Sequence, residues 1–389
     1  MNSIFRLVVI FGLSCAVFLP VSHAQNTGQK EHTIDSKVFG KERRIRVMLP
    51  ELYEQDTSIG FIATYVLDAQ ADAFWNMANG NLEYLVWSYN GLPTIAVGIV
   101  SDDRGDEFDP NNPKLRQHLK EEVFPLIEKT YRVKPFRTVI GHSWGGAFVM
   151  STLLGKDRDM FDGYIGISPS FSDTDLMEQA DSVFALKPDF RKFLYFSTGD
   201  VGSREIKFRE NVVGVAELLK KYPNSSLAFE EEVFEGGDHW SCVGPSLTRG
   251  YMTMSRNYFA DQAVVERFAA EGGDLIAKIK AFEQEKKEKF GYVMPLNAGM
   301  YKFLGDEFQA RSDYETALTL YNAVISMKPK AVRTHISLCE ALRKSGQTAK
   351  AIETLKHTKS LAEAQKEDLG EAFYKDVIEY VEMRLKELE

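Results

Sequence analysis

Cysteine is scarce in this 389-residue chain, with only Cys15, Cys242 and Cys339 present. So few thiols exclude a disulfide framework and a cysteine-rich zinc site. A Cys242–Cys339 bridge is not expected, because the two fall in segments assigned below to different domains. Histidine is also sparse: the seven, at positions 23, 32, 118, 142, 239, 335 and 357, form no ligand-spaced cluster with cysteines or carboxylates. No metal and no cofactor is therefore expected. A basic excess is missing too. The net charge is −9, without a basic stripe, which argues against nucleic acid or an anionic membrane surface as a partner. Long apolar runs are absent apart from Leu7 to Leu19, which Pro20 ends. That run is shorter than the about 18 to 20 residues a spanning helix needs.

Arg6, the apolar run and the small-x-small triplet Ser22-His23-Ala24 have the form of a secretory signal, residues 1–24, cleaved after Ala24. The mature chain is expected to be exported, periplasmic or secreted, with no transmembrane segment left. Cys15 does not make it a lipoprotein, because Gly12 stands where such signals usually carry an aliphatic residue. The composition, 44% hydrophobic and 26% charged, is that of a soluble globular protein, and the length suits two or three domains.

After the signal, near-alternating apolar residues at 33–38 and 43–49 predict an antiparallel pair at a sheet edge. Continuous β-rich runs at 61–67 and 94–100 predict parallel strands covered on both faces. Helical periods fill 74–89 and 114–131, and further strands are expected at 163–167, 192–197 and 227–234, with a helix at 211–221. This alternation implies a mostly parallel α/β sheet covered by helices, over residues 30–262. No strand is evident from Asp261 onward. Residues 263–295 read as a helical linker, and 296–389 as tetratricopeptide-like repeats. Leu304-Gly305, Phe308, Tyr314, Ala317, Tyr321, Val324 and Pro329 match that repeat; 34 residues on, Leu338, Cys339, Leu342, Gly346, Ala351 and Leu355 match it more loosely. Two repeats and a capping helix are marginal alone, so the region is expected to dock on the α/β domain or on a peptide or protein partner.

The chemistry centres on Thr138–Ala147. A buried strand runs into Gly141-His142-Ser143-Trp144-Gly145 and then an apolar helix, the context of a nucleophile elbow with Ser143 as nucleophile. A serine needs a base, and the base an orienting acid, following in that chain order as acid then histidine. His239, in Gly236-Gly237-Asp238-His239-Trp240 after the last strand, is the expected base. Asp200, in Thr198-Gly199-Asp200, is the expected acid, with Glu205 on the same loop as the alternative. Oxyanion donors are expected from the backbone N–H of Trp144 and of Ala69, with Gln70 next after Ala69.

Tyr65-Val-Leu-Asp-Ala-Gln70, Ile95-Ala-Val-Gly-Ile99 followed by Arg104 and Phe108-Asp-Pro110, Gly141-His-Ser-Trp-Gly-Gly146, Gly166-Ile-Ser-Pro-Ser170 and Gly237-Asp-His239 together resemble the esterase D-like esterases, most closely their siderophore-esterase branch. The resemblance spans about residues 33–260. It implies an α/β-hydrolase fold and a serine mechanism on Ser143 and His239, with Trp144 and the Ala69 position as backbone donors; Ala69 replaces a glycine common there. Gln70, His142, Trp240 and Arg104 are expected to line the substrate site. The expected substrate is a small carboxylic ester, siderophore-lactone-like or with another small acyl group. An acyltransferase on the same triad is the alternative, and a non-catalytic binding protein acting through its helical repeats is the other.

Overall fold

The buried strands follow the apolar runs, and the first edge strand lies at 29–36 rather than at the expected 33–38. The eight strands are β1 (Gln29–Ser36), β2 (Lys41–Met48), β3 (Phe61–Val66), β4 (Thr94–Ile99), β5 (Val133–His142), β6 (Gly163–Ile167), β7 (Lys192–Gly199) and β8 (Leu227–Phe234). The structure is a computed structural model that describes residues 28–388 except Asp56, Ser58 and Asp173. The expected signal, residues 1–24, lies outside the described residues. The strands form one sheet in the order β1-β2-β4-β3-β5-β6-β7-β8. β1 and β2 pair antiparallel, as do β2 and β4, and every later pair is parallel. Each residue of β3, β4, β6 and β7 is buried, as a strand covered on both faces must be. The carboxyl ends of β3, β5, β7 and β8 all point to one edge of the sheet, so their loops converge there.

Successive side chains divide between two cores. Phe61, Ala63 and Tyr65 face one with Val139, Phe148 and Leu194. Ile62 and Val66 face the other with Trp75, Ile140 and Tyr195. Helices α1 (Asp72–Trp87), α2 (Trp144–Leu154), α3 (Ser203–Lys221) and α4 (Val243–Ser255) cover the faces. The helical run from Lys114 to Thr130 contains a π-helical stretch, Leu119–Val123. Pro125 next to it has no N–H to offer the carbonyl four residues back, so the ladder shifts register there.

Among the described residues no strand follows Phe234. Asp261 caps α5 (Gln262–Ala270) through Val264 N–H, and α6 (Leu275–Phe290) follows. Two antiparallel helix pairs come next: α7 (Ala298–Ala310) with α8 (Tyr314–Met327), then α9 (Val332–Lys344) with α10 (Thr348–Ala364), before α11 (Glu371–Leu388). The second pair starts 34 residues after the first. Within the first pair, a Cβ at Gly305 would lie 2.6 Å from the Tyr321 ring, so glycine lets that ring pack against the neighbouring backbone. The helices do not stand apart from the sheet. Phe136 on β5 packs against Tyr292 with ring centroids 4.8 Å apart, Tyr89 against Phe303 at 5.3 Å, and Met294 N–H donates to Tyr258 O at 2.7 Å. One apolar cluster runs from beneath the sheet to Val381 in α11.

Candidate active site

β5 delivers Ser143 to the sheet edge in a left-handed backbone conformation, φ 59° and ψ −115°, immediately before α2. Such a conformation costs on the order of 1–3 kcal/mol in a non-glycine residue and persists only when its surroundings fix it. Ser143 N–H donates to Ile167 O at 2.9 Å, and Ser143 O accepts from Gly146 N at 2.9 Å and Ser170 N at 3.0 Å. A Cβ at Gly141 would lie 2.2 Å from Gly145 O, and one at Gly146 would lie 2.7 Å from Pro169 Cα. At Gly145 it would meet nothing closer than 3.5 Å. The tight approaches therefore occur at Gly141 and Gly146, not at Gly145.

His239, in the loop after β8, is buried, and its Nδ1 lies 2.9 Å from Glu205 Oε2. An ionised carboxylate only accepts, so Nδ1 carries the hydrogen and the lone pair is left on Nε2. Glu205 stands in the first turn of α3 and is 1% exposed. Its Oε1 accepts from Ser168 Oγ at 2.6 Å and Gly199 N–H at 2.7 Å. Burial works against its charged form, but the bonds from His239, Ser168 and Gly199 outweigh it and hold the carboxyl below the usual glutamate range. Ser168 lies in the Gly166–Ser170 motif, but sequence alone assigns it no role. It too has a left-handed backbone, φ 42°, which turns its hydroxyl onto Glu205.

Asp200, the acid expected from sequence, is placed elsewhere. Its Oδ1 accepts from Gly236 N–H at 2.8 Å, and its own N–H donates to Gly237 O at 2.9 Å, which ties the β7 loop to the β8 loop. The chain turns at Gly202, φ 94°, and α3 then brings Glu205 back under the histidine. Position in the loop did not distinguish the two acids. Helical phase did: Glu205, Phe208 and Val212 share the inward face of α3.

Ala69 also departs from expectation. It is fully buried and its N–H is used up on Ile99 O at 3.0 Å, so it has no donor for an oxyanion. Gln70 follows it at the cleft, and among the described residues no hydrogen bond engages its N–H. The Trp144 N–H, at the first position of α2, has no partner within the helix. The Gln70 side chain is fixed between Asp68 Oδ1 at 2.9 Å and Ser101 N–H at 3.0 Å. Asp68, φ 63°, receives two bonds from Arg104, Nε to Oδ1 at 2.8 Å and Nη2 to Oδ2 at 3.0 Å. The same guanidinium lies over the Trp144 ring, 5.2 Å from its centroid. Arg104 thus joins the loop after β3 to the elbow.

His142 is buried beside His239, ring centroids 4.5 Å apart, and donates from Nε2 to His239 O at 2.9 Å. Burial, and secondarily the neighbouring His239, push its pKa down to about 4. Trp144 and Trp240 are 47% and 70% exposed, whereas Trp75 is core. Gln70, Arg104, His142, Ser143, Trp144, His239 and Trp240 all line one cleft of about 830 Å³. Among the described residues, no hydrogen bond joins Ser143 to His239 in this structure, no cluster of three or more His, Cys, Asp or Glu is arranged to hold a metal, and no helix is long and apolar enough to cross a membrane.

A strained serine between a parallel strand and a helix, sharing a cleft with a histidine held by a buried glutamate, defines the α/β-hydrolase class of esterase. The family model described as "Putative esterase" matches residues 36–253, more than half of the chain, and the protein belongs to that esterase family. No curated sequence matches the chain. An IroE-like serine hydrolase from Shewanella oneidensis superposes with a TM-score of 0.64 at 18% identity, covering 77% of this chain and 99% of the other. An uncharacterised protein from Capnocytophaga ochracea gives 0.61 at 16% identity, covering 85% and 93%. The siderophore hydrolase EstA of Aspergillus nidulans gives 0.50 at 21% identity, covering 59% and 94%.

Proposed function

We propose that this protein is an exported serine hydrolase that cleaves small carboxylic esters through an acyl-enzyme on Ser143. The hydroxyl is a weak nucleophile, and His239 Nε2 takes its proton as it attacks the ester carbonyl. Glu205 fixes the ring so that Nε2 carries the lone pair, and its charge stabilises the imidazolium that forms. The oxyanion sits between the N–H groups of Trp144 and Gln70. His239 then protonates the leaving alcohol, and water, activated by the same nitrogen, releases the acyl group. The observation that carries this reading is the buried Glu205–His239 pair lining up behind the cleft that holds Ser143.

The signal-like residues 1–24 support export to the periplasm or beyond, and the likeness to siderophore hydrolases supports a lactone or similar small ester as substrate. The 34-residue offset between the helix pairs supports a tetratricopeptide-like array, which would offer a peptide or protein partner its outer groove. The test is hydrolysis of a nitrophenyl ester panel and a siderophore trilactone by wild type and Ser143→Ala. Ser143-dependent release of acid and alcohol is expected; equal rates from the two proteins would overturn the assignment. Added alcohol acceptors yielding mainly transesterified product would make the enzyme an acyltransferase instead.

A further inference from the structure

The cleft contains charge that acyl transfer does not use. Arg204 and Lys207 line it, on the helix that supplies Glu205. Glu205 and Phe208 turn inward, Glu205 onto His239 and Phe208 with its ring centroid 5.1 Å from the same imidazole. Positions 204 and 207 are one residue back from these and three apart, so they share the adjoining face of α3. Neither side chain takes part in an ion pair among the described residues. The carboxylate nearest in sequence, Glu205, is directed into Ser168, Gly199 and His239. The third cation of the lining, Arg104, is already matched by Asp68, the one acid of that lining among the described residues. What remains is two uncommitted positive charges in the wall of a cleft, in a chain whose net charge is −9. Cations kept free of carboxylates in so acidic a chain create a local potential that attracts an anion.

Their side of the cleft is fixed by the proton path. The imidazole must hand its proton to the leaving oxygen, so groups packed around His239 meet the alcohol half of the ester. α3 is the element that brings Glu205 and Phe208 to His239, and Arg204 and Lys207 come with it. We propose that Arg204 and Lys207 form an anion subsite for the leaving group, so that the preferred ester carries a carboxylate, sulfate or phosphate on its alcohol portion. This rests on the assignment of Ser143 and His239 as nucleophile and base.

The test compares three esters on the full chain: phenyl acetate, 4-carboxyphenyl acetate with the charge on the leaving group, and phenyl hydrogen succinate with the charge on the acyl group. In Arg204→Gln/Lys207→Gln, the ratio of kcat/KM for 4-carboxyphenyl acetate to that for phenyl acetate falls about tenfold, the scale of two partly screened charges acting on one anion. Added salt lowers the same ratio in wild type and not in the double variant. The succinate ratio moves less. An unchanged 4-carboxyphenyl ratio, or a succinate ratio that moves as much, overturns the proposal. Binding of 4-hydroxybenzoate to Ser143→Ala, measured by calorimetry with and without the two substitutions, separates this inference from the esterase assignment. If no ester is turned over in a Ser143-dependent way, the assignment fails. The subsite then stands only if the double substitution weakens 4-hydroxybenzoate binding, and equal or undetectable binding overturns it.

Discussion

Replacing Glu205 by glutamine keeps shape and removes only charge and one acceptor, so it isolates what the carboxylate does for His239. In the wild type Oε1 faces two donors, Ser168 O–H and Gly199 N–H, and Oε2 faces His239 Nδ1. An amide in this place cannot turn its NH2 toward those two donors, so it keeps its oxygen there and presents NH2 to the histidine. Nδ1 must then accept, the ring proton moves to Nε2, and the nitrogen assigned above as the base no longer has a lone pair. Loss of a triad carboxylate by this tautomer exchange costs about 10⁴ in kcat, or about 5.5 kcal/mol of transition-state stabilisation. Asp200→Asn retains an acceptor for Gly236 N–H and touches no part of the imidazole, so it costs less than about tenfold. The assay is burst-resolved kinetics on a nitrophenyl ester for both variants, with folding checked by circular dichroism. Equal losses, or a larger loss from Asp200→Asn, would refute the placement of Glu205 as the acid.

Gly141→Ala, with its Cβ 2.2 Å from the Gly145 carbonyl oxygen, should destabilise by about 3 kcal/mol or more, whereas Gly145→Ala should stay within about 1 kcal/mol; urea titration of both variants measures the contrast. His142 titrates at about 4 in the folded chain against an ordinary 6.5. Its folded pKa is depressed by burial, so between those values the unfolded chain binds the extra proton, and stability falls as pH drops from 6.5 toward 4. The loss is about 3 kcal/mol at 1.36 kcal/mol per unit, and denaturation of His142→Asn against pH should show a shallower slope over that window. Arg104→Met should lower kcat about 10-fold or more with little change in KM, because it frees the loop that carries Gln70; a drop confined to KM would make Arg104 a substrate contact instead. Truncation after Pro295 should lower Tm and promote aggregation, since it uncovers apolar side chains continuous with the sheet; an unchanged Tm would contradict a shared core.

The sheet was legible because its central strands are runs of apolar and β-rich residues and its edge pair nearly alternates, and the elbow because glycines bracket Ser143 in a strand-to-helix context. Gly145 shows the limit of that pattern: it completes the motif, yet the close approaches fall on Gly141 and Gly146. Asp200 misled because loop position locates an acid only to within a few residues, and the reach to His239 depends on where α3 begins. A helix placed from Ser203 rather than from Asn211 would have put Glu205 in phase with Phe208 and Val212 and exposed Arg204 and Lys207. Ala69 misled for a different reason. A backbone N–H has no sequence signature for whether a neighbouring strand has already engaged it, and Ile99 had. The Asp68–Arg104 pair, 36 residues apart, could be read only once both loops were seen at the same sheet edge.

The shared apolar cluster that joins Phe136 and Tyr195 to the C-terminal helices sets the order in which the chain can mature. A ribosome releases the strands before Tyr292 and Phe303 exist, so Phe136 and Tyr89 lack those ring partners while the last hundred or so residues are made, several seconds at about 5–20 residues per second. During that interval the rings of Phe136 and Tyr89 are available to chaperones and to neighbouring copies. The C-terminal segment therefore acts as a timer on the shared cluster: full protease resistance should arrive only once Tyr292 and Phe303 have packed against Phe136 and Tyr89.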